Sequence, residues 1–532
     1  VREQETEMSR KIRYVIATLL AFPLAMGLAG AQQTAIAPGI APPAVIDENA
    51  LFGTEKDIVT VIDPNVAATT DVQLVKDTKT YPVFLLSGTA GAGLSGRYSQ
   101  SASNPLSIAG AVKLSSLGFD MLPTKSTHFS LTTSMLADPS GINAVSVKAA
   151  ANLRAEDLVR LYIGGSANYD PDSFLSTASY EDLTLKLDEL FLDTDIEKKV
   201  FFRLGKQRIS WGVGNWYKPS DVLSLAAIDP DNPSAEREGP FAFKIDVPQK
   251  LNHAMLYLVP PVSSDPGAFS AAARYDLVTS GWELSFAGFG RTDMAVRPRL
   301  MFSATGAVGA FDVYGEQVAL YGSDRTYVRE KTGGGYETYR REDEFFFQST
   351  LGIKYSKSLS SGLSYSLHVQ GYYNGTGYSD ASILLVDAAR KAVEKSSTYR
   401  SSDLTQTGMW YLAGSGSLSF RFGEGKGLTV VTLSGYALAD FSDSSVRFNP
   451  SCKVQVGDEG ARTTLSLSAL TSLGLRNSEY AKNGNKTEPA LTLSVMNRLS
   501  VQVSTPLELN PDFSIKKVST TFSVFWNAVS FD

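Results

Sequence analysis

Leu491-Thr492-Leu493-Ser494-Val495-Met496-Asn497-Arg498-Leu499-Ser500-Val501-Gln502-Val503-Ser504-Thr505 keeps two kinds of residue on opposite parities. Leu491, Leu493, Val495, Leu499, Val501 and Val503 share one; Thr492, Ser494, Arg498, Ser500, Gln502 and Ser504 share the other. A strand turns successive side chains to opposite faces, so the segment reads as a ribbon with one oily and one wet side. It outruns the usual soluble strand of about five or six residues. Tilted, it would cross a hydrocarbon core.

The pattern recurs. Val145, Val147, Ala149, Ala151 and Leu153 oppose Ser146, Lys148, Asn152 and Arg154. Val159, Leu161, Ile163 and Ala167 oppose Arg160, Tyr162, Ser166 and Asn168. Leu363, Tyr365, Leu367 and Val369 oppose Ser364, Ser366, His368 and Gln370, and Leu418 and Phe420 oppose Ser417, Ser419 and Arg421. Leu465, Leu467 and Leu475 oppose Ser466, Ser468 and Arg476. Alternating segments of about ten residues that put apolar chains outside and polar ones inside specify an all-β, transmembrane antiparallel β-barrel, here of about 16–18 strands. Closure removes the unpaired edges that lipid would not tolerate. The mean hydropathy of -0.07 fits, since only alternate residues meet lipid.

The chain start is read as an export signal over residues 1–31, with Met8 the expected initiator. Arg10, Lys11 and Arg13 precede the apolar run Tyr14 to Leu28, and Ala29-Gly30-Ala31 supplies small residues for cleavage. Residues 32–80, interrupted by Pro38, Pro42, Pro43 and Pro64, read as a periplasmic N-terminal segment. Residues 81–532 read as the barrel, placed in the cell outer membrane. The chain closes on Thr521-Phe522-Ser523-Val524-Phe525-Trp526-Asn527-Ala528-Val529-Ser530-Phe531-Asp532, a strand with the aromatic ending that barrel-assembly machinery would recognise.

Function classes narrow quickly. A net charge of -6 does not suggest a nucleic-acid binder. Cys452 is the only cysteine, and His128, His253 and His368 are scattered, so no metal cluster and no cofactor is read. Asp229-Pro230-Asp231-Asn232 lacks the ligand spacing of a calcium loop. Gly91-Ala92-Gly93-Leu94-Ser95-Gly96 opens no helix and reads as a glycine-rich first strand, not a dinucleotide loop. No nucleophile elbow or paired catalytic carboxylates stand out, so the chain is read as a non-enzyme.

Three stretches, about 207–240, 320–344 and 374–407, are too long for tight turns. Residues 380–396 fit a short amphipathic helix or a solvated loop. The most specific motif is Leu187-Asp188-Glu189-Leu190-Phe191-Leu192-Asp193, followed by Arg203-Leu204-Gly205-Lys206-Gln207-Arg208-Ile209-Ser210-Trp211-Gly212. It resembles the outer-membrane porin-like proteins of the alginate-export and DUF1302 groups. That resemblance implies diffusion of a polar solute through the barrel, and lumenal or bracing roles for Glu189, Arg203 and Gln207.

By parity, Arg203 and Gln207 point inward. Glu189 shares parity with Leu187 and Phe191, which would aim it at lipid; a bulge near Asp188 would re-phase it, and otherwise it sits at a rim. Arg203 and Gln207, with Arg154, Arg160, Arg274, Lys354, His368, Arg421, Arg476 and Arg498, are the candidate lumen lining. Their basic excess implies a mild anion preference. The expected function is passive diffusion of small hydrophilic solutes, anions or carbohydrates. A surface barrel whose loops bind host or other ligands is the alternative, and a membrane-embedded enzyme a third reading. Expected partners are membrane lipid, lipopolysaccharide or other outer-leaflet lipid, a small polar solute and the assembly machinery, with the oligomeric state open.

Overall fold

A computed structural model describes residues 82–531 except 100–105, 125–126, 139–140, 156–158, 170–182, 262–267, 459–461 and 497. The segments read as signal peptide and periplasmic lead-in lie outside the described residues. Twenty-three strands, all antiparallel to their neighbours, form one sheet. It closes on itself, because β1 (Val83–Ser99) pairs with β2 (Leu106–Thr124) on one side and with β25 (Ile515–Phe531) on the other. The strands β23 (Leu499–Ser504) and β24 (Leu507–Leu509) both lie between β22 (Lys486–Val495) and β25. They are two halves of one stave interrupted at Thr505-Pro506, so 22 staves circle the barrel.

That count exceeds the expected 16–18, and the ribbon at 491–505 shows one reason. It is a hairpin. Leu491 faces Val503, Leu493 faces Val501, and Val495 faces Leu499 across the turn at 496–498. In a hairpin whose turn holds an odd number of residues, paired positions keep the same parity. The oily and wet faces therefore continue unbroken through the turn. Met496 takes φ +50° there, in the left-handed region.

The outward face is the one in contact with lipid. Leu185 and Leu300 expose 73% and 72% of their surface, and Phe286, Phe347 and Leu351 join them. Aromatic pairs mark both margins of this belt, as at membrane interfaces. Tyr321–Phe345 and Tyr373–Trp410 lie at the long-loop end, and Phe311–Tyr355 and Phe420–Phe422 at the short-turn end. Among the described residues no helix is long and apolar enough to cross a membrane.

Inside, β6 (Leu183–Ile196) carries the bulge that Glu189 requires. Gly164 pairs with Glu189 but the next residue, Gly165, pairs with Leu187, so Asp188 is the extra residue. Leu187 stays outside, and Glu189 turns inward, 3% exposed, with Phe191 and Asp193 beside it. The long loop 322–344 folds a hairpin of β14 (Tyr327–Glu330) and β15 (Tyr336–Tyr339). Of the two forms open to residues 380–396, the loop 375–409 takes the helical one over α1 (Asp387–Glu394). Val328, Leu384, Ala389 and Val393 form a small apolar core between these loops, above the rim.

Candidate functional site

Residues 207–240, between β7 (Val200–Lys206) and β8 (Phe241–Gln249), contain no helix or strand and fold into the lumen. Gly212, Gly214, Pro219, Pro230, Pro233 and Pro240 deny the segment regular structure. Its neck is closed by the Gln207 N–H donating to the Pro240 carbonyl at 3.1 Å. A Cβ on Gly239 would sit 1.8 Å from the Gln207 carbonyl oxygen, so this approach needs glycine. The Gln207 side chain, 1% exposed, donates to the Ala242 carbonyl at 3.0 Å.

The strap is then pinned to the far wall by buried side chains. Glu316, on β13 (Phe311–Tyr321), accepts from the Gly214 N–H at 2.6 Å, the Ser220 N–H at 3.2 Å and the Ser220 hydroxyl at 2.5 Å. Gly212 at φ +89° passes under the same carboxylate, where a Cβ would lie 2.7 Å from Oε1. On β17 (Leu363–Asn374), Gln370 Oε1 accepts from Asn215 and Trp216 N–H, at 2.8 and 3.0 Å, and its amide donates to the Tyr217 carbonyl at 2.7 Å. Tyr217 is fully buried and stacks on Tyr372, with its hydroxyl 2.5 Å from that of Tyr480.

At the tip, Asp231 accepts from the Tyr436 hydroxyl at 3.2 Å and pairs with Arg447. These residues stand on β19 (Thr429–Asp440) and β20 (Ser445–Val456). Since β20 lies eleven staves from β7 in a ring of 22, the strap reaches the opposite side of the barrel. The returning limb is tied by Glu236 to Arg208 and Lys148, at 3.1 and 3.7 Å, and by Glu238 to Lys206 and Lys186, at 2.5 and 3.7 Å.

Several sequence-selected residues meet here. Arg203 holds Asp193 through two hydrogen bonds of 2.6 and 3.0 Å and lies 3.9 Å over the Phe191 ring. Arg160 approaches the same carboxylate at 3.9 Å and donates to Asn152 at 3.0 Å. Glu189 faces Arg208, whose N–H it accepts at 3.3 Å. Arg274 binds Asp276 at 2.6 Å. Trp211 packs edge-on against Tyr257, and Gly205, at φ +136°, admits the Leu190 carbonyl, which a Cβ would meet at 2.1 Å. His368 Nε2 lies 2.6 Å from the Tyr314 hydroxyl, and the ring rests on Trp216; Lys354 stands over the Tyr314 ring.

The others lie apart. Arg154 is exposed opposite Arg160 in the β4–β5 register, with β4 spanning Gly141–Ala155 and β5 Val159–Tyr169. Arg421 is exposed near the end of β18 (Trp410–Phe422). Arg476 falls in the loop after β21 (Thr463–Leu473), and Arg498 in the 496–498 turn, so neither sits on a strand face as parity suggested.

The expected basic ring is therefore not an array of free cations. The loop acids Asp231, Glu236 and Glu238 are carried into the barrel by the strap and pair with wall cations. Sequence reasoning missed Glu316 and Gln370 as strap anchors. The one available signal was the glycine pair at 212 and 214 in an aromatic setting.

The outer loops interlock above the rim. Arg325 donates to the carbonyls of Asp403, Thr405 and Gln406, at 2.7, 3.2 and 3.0 Å. Glu479 accepts from Gln406 and Thr407 N–H, and its own N–H donates to Asp443. Burial pushes the Asp443 carboxyl up to about 6. No group of acidic, histidine or cysteine side chains among the described residues could hold a metal ion.

No protein-family model matches the chain, and no curated protein matches its sequence. Among solved structures, similarity is found to Wzi, an outer-membrane protein of group 1 capsule assembly in Escherichia coli described as a carbohydrate-binding β-barrel. Identity is 10%, TM-score 0.32, with 82% of this chain and 85% of that chain covered. A mutant of Rhodopseudomonas blastica porin matches at 9% identity and TM-score 0.30, covering 84% and 99%. Pseudomonas aeruginosa OccK11 matches at 11% and 0.31, covering 83% and 96%. The barrel itself is established by this chain's own strand pairing, closed between β1 and β25.

Proposed function

We propose that the protein is an outer-membrane channel for passive diffusion of small hydrophilic solutes, with the strap 207–240 setting the width of the bore. The observation that carries this reading is the strap itself: a segment pinned across a closed, polar-lined barrel by Glu316, Gln370 and Arg447. A barrel serving only as an anchor has no need of an internal constriction held by so many directed contacts. Kinship with the alginate-export and DUF1302-type proteins belongs to this proposal and is supported by the motif through Gly212. The pairing of Arg160, Arg203 and Arg274 with carboxylates favours carbohydrate-like solutes over anions. Membrane lipid and the assembly machinery are its expected partners. Swelling of liposomes carrying the purified protein, in sugars and in small anions, tests the reading. Vesicles that swell no faster than empty ones would overturn it.

A second reading is favoured by one observation. The loops 322–344, 375–409 and 474–485 are knitted into a cap by Arg325, Asn477 and Glu479, as a ligand-binding surface would be. Ligand binding lost on deletion of 375–409, in a protein without conductance, would support it instead.

A further inference from the structure

The strap leaves the two halves of the lumen chemically unlike. Along β6 to β13 most inward side chains are buried or half-buried, and three buried aspartates are neutralised in place. Asp193 is held by Arg203, Asp246 by Lys244 at 2.8 Å and Asp276 by Arg274. From β17 onward the wall changes. Ser366 and Ser417 hydroxyls lie 2.7 Å apart, Ser419 and Thr432 3.1 Å, and Ser434 and Ser451 2.8 Å. The register continues the row, placing Ser468 beside Ser451, Thr492 beside Ser466 and Ser500 beside Ser494. Ser366 is exposed and the other positions are partly buried, whereas Asp193, Asp246 and Asp276 on the charged wall are buried. Lys453 stands near the short-turn end of the hydroxyl wall, and Lys486, paired with Glu488 at 3.1 Å, near the other.

We propose that this hydroxyl wall is the solute track, and that the channel selects neutral, polyhydroxylated solutes of the sugar and polyol type. The proposal rests on the channel reading above. A hydroxyl is both donor and acceptor, and its proton rotates to suit the partner. A neutral polyol leaving water can therefore exchange its hydrogen bonds step by step along staves spaced about 4.8 Å apart. A cationic solute finds no unpaired carboxylate among these residues to offset its lost hydration, and an anionic one meets just the cations toward the short-turn end, Lys453 beside Thr432 and Ser466, and Arg421.

The full-length protein in liposomes tests this with three probes of similar size: a neutral disaccharide, a singly acidic analogue and a singly basic one. The neutral sugar is expected to enter at least about threefold faster than either charged analogue, and to lower the potassium chloride current reversibly and saturably. A combined Ser417→Ala, Ser434→Ala, Ser451→Ala variant should slow sugar about fivefold, the loss of one net hydrogen bond of ~1 kcal/mol, with salt conductance changed less than twofold. The matching threonine variant should restore the rate. Equal rates for the three probes in the wild type would overturn the proposal without any variant, and salt conductance would then leave the channel reading standing. Absence of both conductance and swelling would remove the two together.

Discussion

Glu316→Ala is the sharpest perturbation of the strap. The carboxylate is 3% exposed and accepts three hydrogen bonds from Gly214 and Ser220. Each buried donor left without an acceptor costs about 1–3 kcal/mol. Three of them sum to at least ~3 kcal/mol, unless the strap lifts and lets water in. Lifting is the cheaper outcome, because residues 212–220 would then rest on the Gln370 contacts and on Tyr217 packed against Tyr372 and Tyr480. A shift of ~3 kcal/mol moves a two-state balance by about 100-fold. Single-channel recordings in planar bilayers should show larger or noisier currents, and amides 213–220 should exchange hydrogen far faster. Glu316→Gln, which keeps one acceptor oxygen but sets an amide against the donors, should fall between. Wild-type currents and wild-type exchange in Glu316→Ala would refute the assignment of this carboxylate as the anchor.

Other residues give separate tests. Arg203→Ala leaves Asp193 buried with only the more distant Arg160 and should cost about 2–3 kcal/mol, read as earlier thermal loss of the folded form on gels. Asp231→Asn removes the ion pair at the strap tip, while Arg447 keeps Ser472 and the Tyr480 carbonyl, so the expected loss is near 1 kcal/mol. Current noise should rise in low salt, and its salt dependence should vanish; an unchanged salt response would exclude the latch. Because burial holds Asp443 near 6, above an ordinary aspartate, the folded loops bind the extra proton between pH 4 and 6. Their stability should fall as pH rises through about 6 and then level off. Protection factors in 401–409 and 474–485, with the intrinsic rise of exchange with pH removed, compared at pH 5 and 7 check this, and Asp443→Asn should shrink the difference.

Parity alone separated a lipid face from a wet face, and the misfit of Glu189 between Leu187 and Phe191 left a bulge or a rim position; the bulge at Asp188 turns Glu189 inward and Phe191 with it. Parity could not distinguish a long strand from a hairpin with an odd turn, as 491–505 shows. Alternation also fades where the strap covers the wall. On β12 (Arg299–Val308) and β13 the inward Met301, Val318 and Leu320 form a core with Trp211 and Leu223, so both faces read as apolar. The anchors Glu316 and Gln370 were two polar residues among many on wet parities. Their partners lie 96 and 155 residues away in sequence, and no local pattern records such contacts.

The constriction is tested most directly by removing it. Gln207 and Pro240 are hydrogen-bonded neighbours, so residues 210–237 can be replaced by a short Gly-Ser linker without spreading β7 and β8. Single-channel conductance of this variant and of the wild type should differ severalfold, with the wild type conducting measurably and the shortened protein conducting more. A wild type that does not conduct, or a shortened barrel that conducts no more than the wild type, would contradict a bore gauged by the strap.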